Sequence, residues 1–214
     1  MFIETISNRT GSTAHTRRVP KWYLTYILLA LFNLLSLGAS IYLGQALTDM
    51  FSRSIQVNSK WSELHGELGK LRGLAGAVNA PGNDVFDSQD VLKESARADA
   101  AVKTFQSHFS TVNARMNALA QGDDKALLSD GMNGIEFSLA EMMGEAAKIF
   151  NFFAAGQSDK AGERMATMDR KYAELNAAFA NLENNIRAIQ TRNFGDQEQE
   201  STALKTRGYF VAAA

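Results

Sequence analysis

Several residue types and patterns are scarce in this chain of 214 residues, which has no cysteine and only the prolines Pro20 and Pro81. The absence of cysteine excludes disulfides and thiolate metal sites. Because the net charge is only -1, nothing favours binding to nucleic acid or to an acidic partner. Runs of β-branched residues are also absent, while alanine, leucine, glutamate, methionine and asparagine are prominent. This composition predicts an all-α fold.

Sequence motifs of catalytic sites are absent as well. The chain has no G-x-x-x-x-G-K-[ST], no G-x-S-x-G and no H-E-x-x-H. His15 is far from His65 and His108 in sequence, and His65 lies near Glu63 and Glu67, a mixture typical of a solvated helix face. A metal site there needs a further ligand from another helix. We therefore predict no catalytic site, no metal site and no cofactor.

One long apolar run, residues 22–47, lies near the start of the chain and contains no charged residue. A bilayer core about 30 Å thick needs roughly 20 apolar helical residues, which this run supplies. Basic residues precede it: Arg9, Arg17, Arg18 and Lys21. Because lysine and arginine flanks stay in the cytoplasm, we expect residues 1–21 to be a cytoplasmic tail. The rest of the chain is then outside the cytoplasm, held at the membrane by a helix that contacts the lipid bilayer.

The apolar run is too long for a cleaved signal peptide, whose apolar core has about 7–15 residues. The aromatic residues Trp22, Tyr23 and Tyr26 fit the interfacial belt of a membrane helix. Asn33 is the strongly polar side chain near the middle of the run. It is either a tolerated polar residue or a hydrogen-bond partner of a second membrane helix.

Four stretches after this run carry apolar residues at alternating spacings of three and four. Such narrow stripes must be covered by other helices. They are Trp61, Leu64, Leu68, Leu71, Ala75 and Val78; Val102, Phe105, Phe109, Val112, Met116 and Leu119; Ile135, Leu139, Met142, Ala146, Ile149 and Phe153; and Met165, Met168, Tyr172, Leu175, Phe179, Leu182, Ile186 and Ile189. Four stripes in one chain predict an antiparallel four-helix bundle, with the methionines as core residues rather than a soft-metal site.

Short breaks divide residues 48–208 into helices at about 48–80, 88–121, 124–156 and 159–208. Pro81 and its neighbours end the first helix, and Ser88 or Asp90 can cap the second. Gly122 stops the second helix, with an aspartate as the next cap, and Gly156 repeats this pattern. The last residues, 209–214, are apolar and are either the start of a second transmembrane helix or an unstructured apolar tail.

An anchor, four long amphipathic helices and an approach to a second membrane helix resemble the extracytoplasmic sensor region of bacterial transmembrane receptors. These are the four-helix-bundle input domains of chemoreceptors, sensor histidine kinases and related cyclases. The most motif-like segment is residues 71–84, LRGLAGAVNAPGND. The resemblance implies a sensory input module that relays binding of a small ligand or a periplasmic protein by helix displacement. It also implies a homodimer and a cytoplasmic output domain, which is absent from these residues.

Two features are candidates for binding surfaces. Gly66, Gly69, Gly73 and Gly76 form a glycine stripe opposite the apolar positions of the first helix, where glycine costs about 1 kcal/mol each relative to alanine. A bare strip permits close helix approach, so it predicts a homodimer interface.

The second feature is the polar segment of Arg72, Asn79, Asn83 and Asp84 near the Pro-Gly turn. These groups suit capture of a small anion or an amino acid, or they simply terminate a helix. The competing functional hypothesis is a membrane-tethered scaffold or adaptor with no signalling output.

Overall fold

The computed structural model describes the backbone of residues 21–213 and the side chains of residues 21–206. Within these residues the chain forms four helices: α1 (Lys21–Ser88), α2 (Val91–Leu119), α3 (Gly122–Ala154) and α4 (Ser158–Ala213). No strand occurs in this part of the chain, so the predicted all-α class is confirmed. Most of the predicted tail, residues 1–21, lies outside the described residues.

The first helix does not end at residue 80, because α1 continues through Pro81 to Ser88. A proline inside a helix removes one backbone hydrogen bond and clashes with the preceding turn, which usually stops the helix. Here Pro81, Gly82 and Val85 are all buried. Tertiary packing of this turn therefore outweighs the local preference of proline.

The connection between α1 and α2 lies later than predicted. Gln89 adopts a positive φ of 52°, which ends α1. The Asp90 side chain then accepts a hydrogen bond from the backbone N–H of Lys93 at 3.0 Å. Asp90 is therefore the cap of α2, as one of the two predicted alternatives, and α2 begins at Val91 rather than residue 88.

Of the other two connections, the predicted stop at Gly156 is confirmed, but Gly122 does not stop α2, which ends at Leu119 with Ala120 as its cap. Gly122 and Gly156 have φ values of +53° and +70°, a region that other residues rarely adopt. Gln121 occupies the cap position of α3 without a side-chain hydrogen bond, and Asp123 and Asp124 lie in its first turn. The predicted aspartate cap is wrong, because the positive φ of Gly122 starts the helix two residues earlier than expected.

The chain divides into two compact units, and residues 47–203 form the larger one. The four predicted apolar stripes supply most of its core. Positions outside the fully buried set are partly buried and pack against it: Phe109, Leu119, Phe153, Met165 and Tyr172. An aromatic contact joins α1 to α3, with the Phe86 and Phe153 rings edge to face at 4.8 Å between centroids.

The smaller unit comprises residues 1–46 and 204–214. Its part of α1 leaves large apolar side chains exposed; Trp22, Leu28 and Leu34 have 62%, 70% and 70% of their surface accessible. Among the described residues, α1 is the one helix long and apolar enough to cross a membrane. The Asn33 amide donates to the carbonyl oxygen of Leu29 at 2.9 Å within the same helix. Residues 209–213 continue α4 as helix, and entry of residues 209–214 into a membrane stays a prediction.

Candidate functional site

Arg72 lies at the α1–α4 contact rather than in a pocket. Its Nε donates to the Asn176 Oδ1 atom at 2.9 Å, and its guanidinium lies 4.0 Å from a Glu183 carboxylate oxygen. The Arg72 side chain is 43% exposed. An exposed ion pair at this distance contributes little to stability, so the contact chiefly orients the guanidinium toward α4.

Asn79 and Asn83, one turn apart on α1, are less accessible than the sequence indicates. Asn79 is 7% exposed, although asparagine is usually found at the surface. The Oδ1 atoms of both residues are buried without a hydrogen-bond donor. Leaving a buried polar atom unpaired costs about 1–3 kcal/mol. The two unpaired amide oxygens therefore lower the stability of this part of α1.

Asp84 pairs with α2. The Arg97 Nη1 atom lies 2.8 Å from an Asp84 carboxylate oxygen and 2.6 Å from one of Glu94. The hydrogen bond to Asp84 raises the pKa of Arg97, which stays charged. Glu94 is buried, with 1% of its surface accessible, and Lys93 lies 3.8 Å from it. This acidic and basic cluster joins the end of α1 to the start of α2.

The four predicted ligand-binding residues do not share one site. Arg72 bonds to α4, Asp84 bonds to α2, and the amide oxygens of Asn79 and Asn83 are buried. Arg72 and Asn79, seven residues apart, share a face of α1, but Arg72 and Asp84 bond to different neighbouring helices. The spacing in the sequence could not predict this separation, because the partners lie on other helices.

The glycine stripe is largely open. A Cβ atom added to Gly66, Gly69 or Gly73 would meet no atom within 4 Å. Gly76 differs, because its added Cβ would lie 3.2 Å from the Tyr172 hydroxyl oxygen of α4. Three of the four glycines therefore lie on a free surface, and the fourth belongs to the α1–α4 contact.

His108 and His65 have separate surroundings. The His108 Nε2 atom lies 3.0 Å from a carboxylate oxygen of Glu67 and bridges α2 to α1. Lys70 also bonds to Glu67 at 2.9 Å, and this hydrogen bond is the main cause that lowers the pKa of Glu67. His65 is half-buried and takes no part in the contact between His108 and Glu67. The His108–Glu67 contact thus links α2 to α1.

The sequence did not reveal a buried carboxylate on α3. Glu145 is 7% exposed and accepts hydrogen bonds from Arg164 Nε at 2.8 Å and Lys148 Nζ at 2.7 Å. Burial by itself raises the pKa of Glu145, but the two cations outweigh burial, so the pKa lies below its ordinary value. The carboxylate stays ionised, which suits a fixed link between α3 and α4. In the sequence, the one indication that Glu145 is buried is its position next to Ala146 of the third apolar stripe.

Comparisons with protein-family models, curated proteins and solved structures found no match to this chain. Functional inference therefore depends on the geometry of the molecule itself.

Proposed function

We propose that the chain is the extracytoplasmic input module of a bacterial transmembrane signalling receptor. In this proposal residues 22–47 cross the inner membrane, the N-terminus is cytoplasmic, and residues 48–208 form an antiparallel four-helix bundle outside. Binding of a small ligand or a periplasmic protein displaces α4 relative to α1. The displacement is relayed to a cytoplasmic output domain of the histidine kinase or chemoreceptor type.

The exposed apolar surface of residues 22–46 supports the membrane part of this proposal. Contiguous apolar patches of this kind are rare on proteins surrounded by water and mark contact with protein or lipid. The span has the length that a bilayer requires, and Lys21 stands at its start.

The order of contacts in residues 47–203 is the observation that supports the proposed antiparallel bundle. In each connected pair, residue numbers rise along one helix while they fall along the other, which is the order of antiparallel neighbours. For α1 and α4 the contacts are Ser54 with Gln197, Arg72 with Asn176, and Gly82 with Met168. For α3 and α4 they are Asp124 with Arg192, Glu141 with Lys171, and Glu145 with Arg164. For α1 and α2 they are Glu67 with His108 and Asp84 with Arg97.

The α1–α4 contact is suited to small displacements. Two of its polar contacts, Ser54 with Gln197 and Arg72 with Asn176 and Glu183, join side chains that solvent reaches. Packed helices commonly shift by 1–2 Å in switching proteins, since an interface with repeated spacing has neighbouring registers of similar energy. A ligand moves the equilibrium only by its difference in affinity between the registers.

We also propose that two copies pair along the open glycines Gly66, Gly69 and Gly73. A bare helix strip lets two helices approach closely, which compensates for the low helix propensity of glycine. Gly76 lies against Tyr172 instead and belongs to the contact within one copy.

Membrane orientation is tested by labelling single cysteines, because the natural chain contains none. We expect Asn133→Cys, at an exposed position of α3, to react with a membrane-impermeant maleimide in intact bacteria whose outer membrane is permeabilised. Ser12→Cys should react only after lysis. The reverse pattern, or equal labelling of both variants in intact cells, contradicts the proposed orientation.

Signalling is distinguished from scaffolding by a fusion. Residues 1–214 are joined to the cytoplasmic part of a bacterial sensor histidine kinase, and autophosphorylation is measured in membranes. The receptor proposal predicts kinase activity that changes when the α1–α4 contact is altered. A scaffold predicts activity that is indifferent to the state of that contact.

A further inference from the structure

A groove of about 530 Å³ runs between α2 and α3. This volume is within the range of small-molecule sites, roughly 300–1,000 Å³. Its apolar lining includes Phe105, Phe109, Leu139 and Met143. The two phenyl rings stack with centroids 5.9 Å apart and planes inclined by 24°. Since Phe109 is only partly buried, part of its ring is open to an occupant.

The charge of the groove is as informative as its shape. Glu136 is the one charged residue that lines it, and the other polar lining residues are Gln106 and Ser110. Glu136 is exposed, and the ion pairs found among residues 21–206 do not include it. Glu67 and Glu145, which lie at helix contacts, have basic partners by contrast. An unpaired carboxylate beside apolar walls attracts a cation and repels an anion.

We propose that this groove binds a small organic cation with an apolar body, such as a quaternary ammonium or a hydrophobic protonated amine. The partly exposed Phe109 ring attracts a cation through the negative face of its π-system, and the buried Phe105 ring supports it from behind. Glu136 adds direct charge attraction at the rim, and Leu139 and Met143 cover the apolar part of the ligand. A strongly hydrated inorganic cation gains nothing from these walls, so the apolar body is part of the specificity.

A second groove on the other side of α2 has the opposite character. It lies between α1 and α2 and is lined by Lys103, Thr104, Ser107 and His108 together with Leu74 and Thr111. Its lining includes a lysine but no acidic residue and no phenyl ring. The two grooves therefore differ in their expected ligands, since an organic cation should bind the α2–α3 groove and avoid the α1–α2 groove.

The test is isothermal titration calorimetry of the full chain in nonionic detergent at low ionic strength. The titrant is benzyltrimethylammonium chloride, with benzyl alcohol and phenylacetate as neutral and anionic analogues. We expect saturable binding of the cation and at least about tenfold weaker binding of each analogue. No saturable binding of the cation, or equal binding of benzyl alcohol, overturns the proposal.

Variants assign the binding to the groove. Glu136→Gln removes the charge at an exposed position and should weaken binding by about fivefold or more. Phe109→Leu keeps an apolar side chain without a π-system and should weaken it by about threefold or more. Glu163→Gln makes the same charge change at an exposed residue of α4 outside the groove and should have no effect. An unchanged affinity in Glu136→Gln overturns the proposal even if Phe109→Leu fails to fold.

This inference does not require the signalling role. The calorimetric experiment measures binding alone, whereas the kinase fusion measures output, so either proposal can fail without the other.

Discussion

Gly82 of α1 and Met168 of α4 lie so close that a Cβ atom on Gly82 would sit 2.7 Å from the methionine sulfur. Met168 is fully buried, and Gly82 follows the proline inside α1. The absence of a side chain at Gly82 thus leaves room for the end of the Met168 side chain between α1 and α4.

The Gly82–Met168 contact predicts that Gly82→Ala destabilises the protein. Alanine gains about 1 kcal/mol of helix propensity, but overpacking costs typically 1–3 kcal/mol, so we expect a net loss of about 1 kcal/mol. Gly144→Ala is the matched control, because Gly144 is an exposed position inside α3 and its added Cβ meets open space. It should stabilise by about 0.5–1 kcal/mol. Urea denaturation measures both values, and equal effects of the two substitutions would contradict the close contact.

We expect replacement of the buried Asn79 by leucine to stabilise the protein. Its Oδ1 atom is buried without a donor, so Asn79→Leu removes an unsatisfied acceptor and adds apolar area. We expect the free energy of unfolding to rise by about 1 kcal/mol. Asn133→Leu, at an exposed position of α3, should change it by less than about 0.5 kcal/mol. A loss of more than about 1 kcal/mol in Asn79→Leu would show that the amide has a partner that stabilises the fold.

Glu145 predicts a specific pH dependence. Its folded-state pKa is lowered, so the ionised carboxylate stabilises the protein above its unfolded pKa of about 4.3, and this contribution is lost as pH falls through the folded pKa. Glu145→Gln should cost about 1–2 kcal/mol at pH 7, since Arg164 and Lys148 are partly exposed. The difference from the natural protein should shrink below about pH 4. In Glu163→Gln, which changes an exposed carboxylate, chemical denaturation across pH should show no comparable trend.

The glycine stripe predicts the effect of bulky residues on self-association. Gly69→Leu combined with Gly73→Leu fills the open strip on α1 and should lower the dimer fraction measured by analytical ultracentrifugation in detergent. Gly144→Leu combined with Gly162→Leu is the control, since these exposed glycines also have open space around them. If both double variants associate like the natural protein, the dimer interface does not lie on the stripe.

Much of the fold followed from the spacing of apolar residues. The fourth stripe, from Met165 to Ile189, is buried or partly buried at every predicted position, because a helix repeats every 3.6 residues wherever it packs. The ends of helices were less predictable. Pro81 lies inside α1 in a buried turn, where Gly82 packs against Met168, and such contacts join residues that are far apart in sequence.

The candidate site was harder to predict than the fold. Arg72 and Asp84 are close in sequence, yet they bond to α4 and α2 respectively. The α2–α3 groove combines Phe109 with Glu136, and neither residue belongs to a recognisable motif. Such sites depend on which helices are neighbours, which a pattern within one helix does not specify.

Locking the α1–α4 contact in the kinase fusion tests whether displacement of α4 relative to α1 carries a signal. Ser54 bonds to Gln197 and shares a small pocket with Asn193, one turn earlier on α4. Disulfides in Ser54→Cys/Gln197→Cys and Ser54→Cys/Asn193→Cys should hold α4 at positions that differ by up to about 6 Å along the helix. Autophosphorylation is then compared between the two oxidised forms and after reduction. We expect the two locked forms to differ severalfold in kinase activity and reduction to remove the difference, whereas equal activity of two fully cross-linked forms would show that this displacement carries no signal.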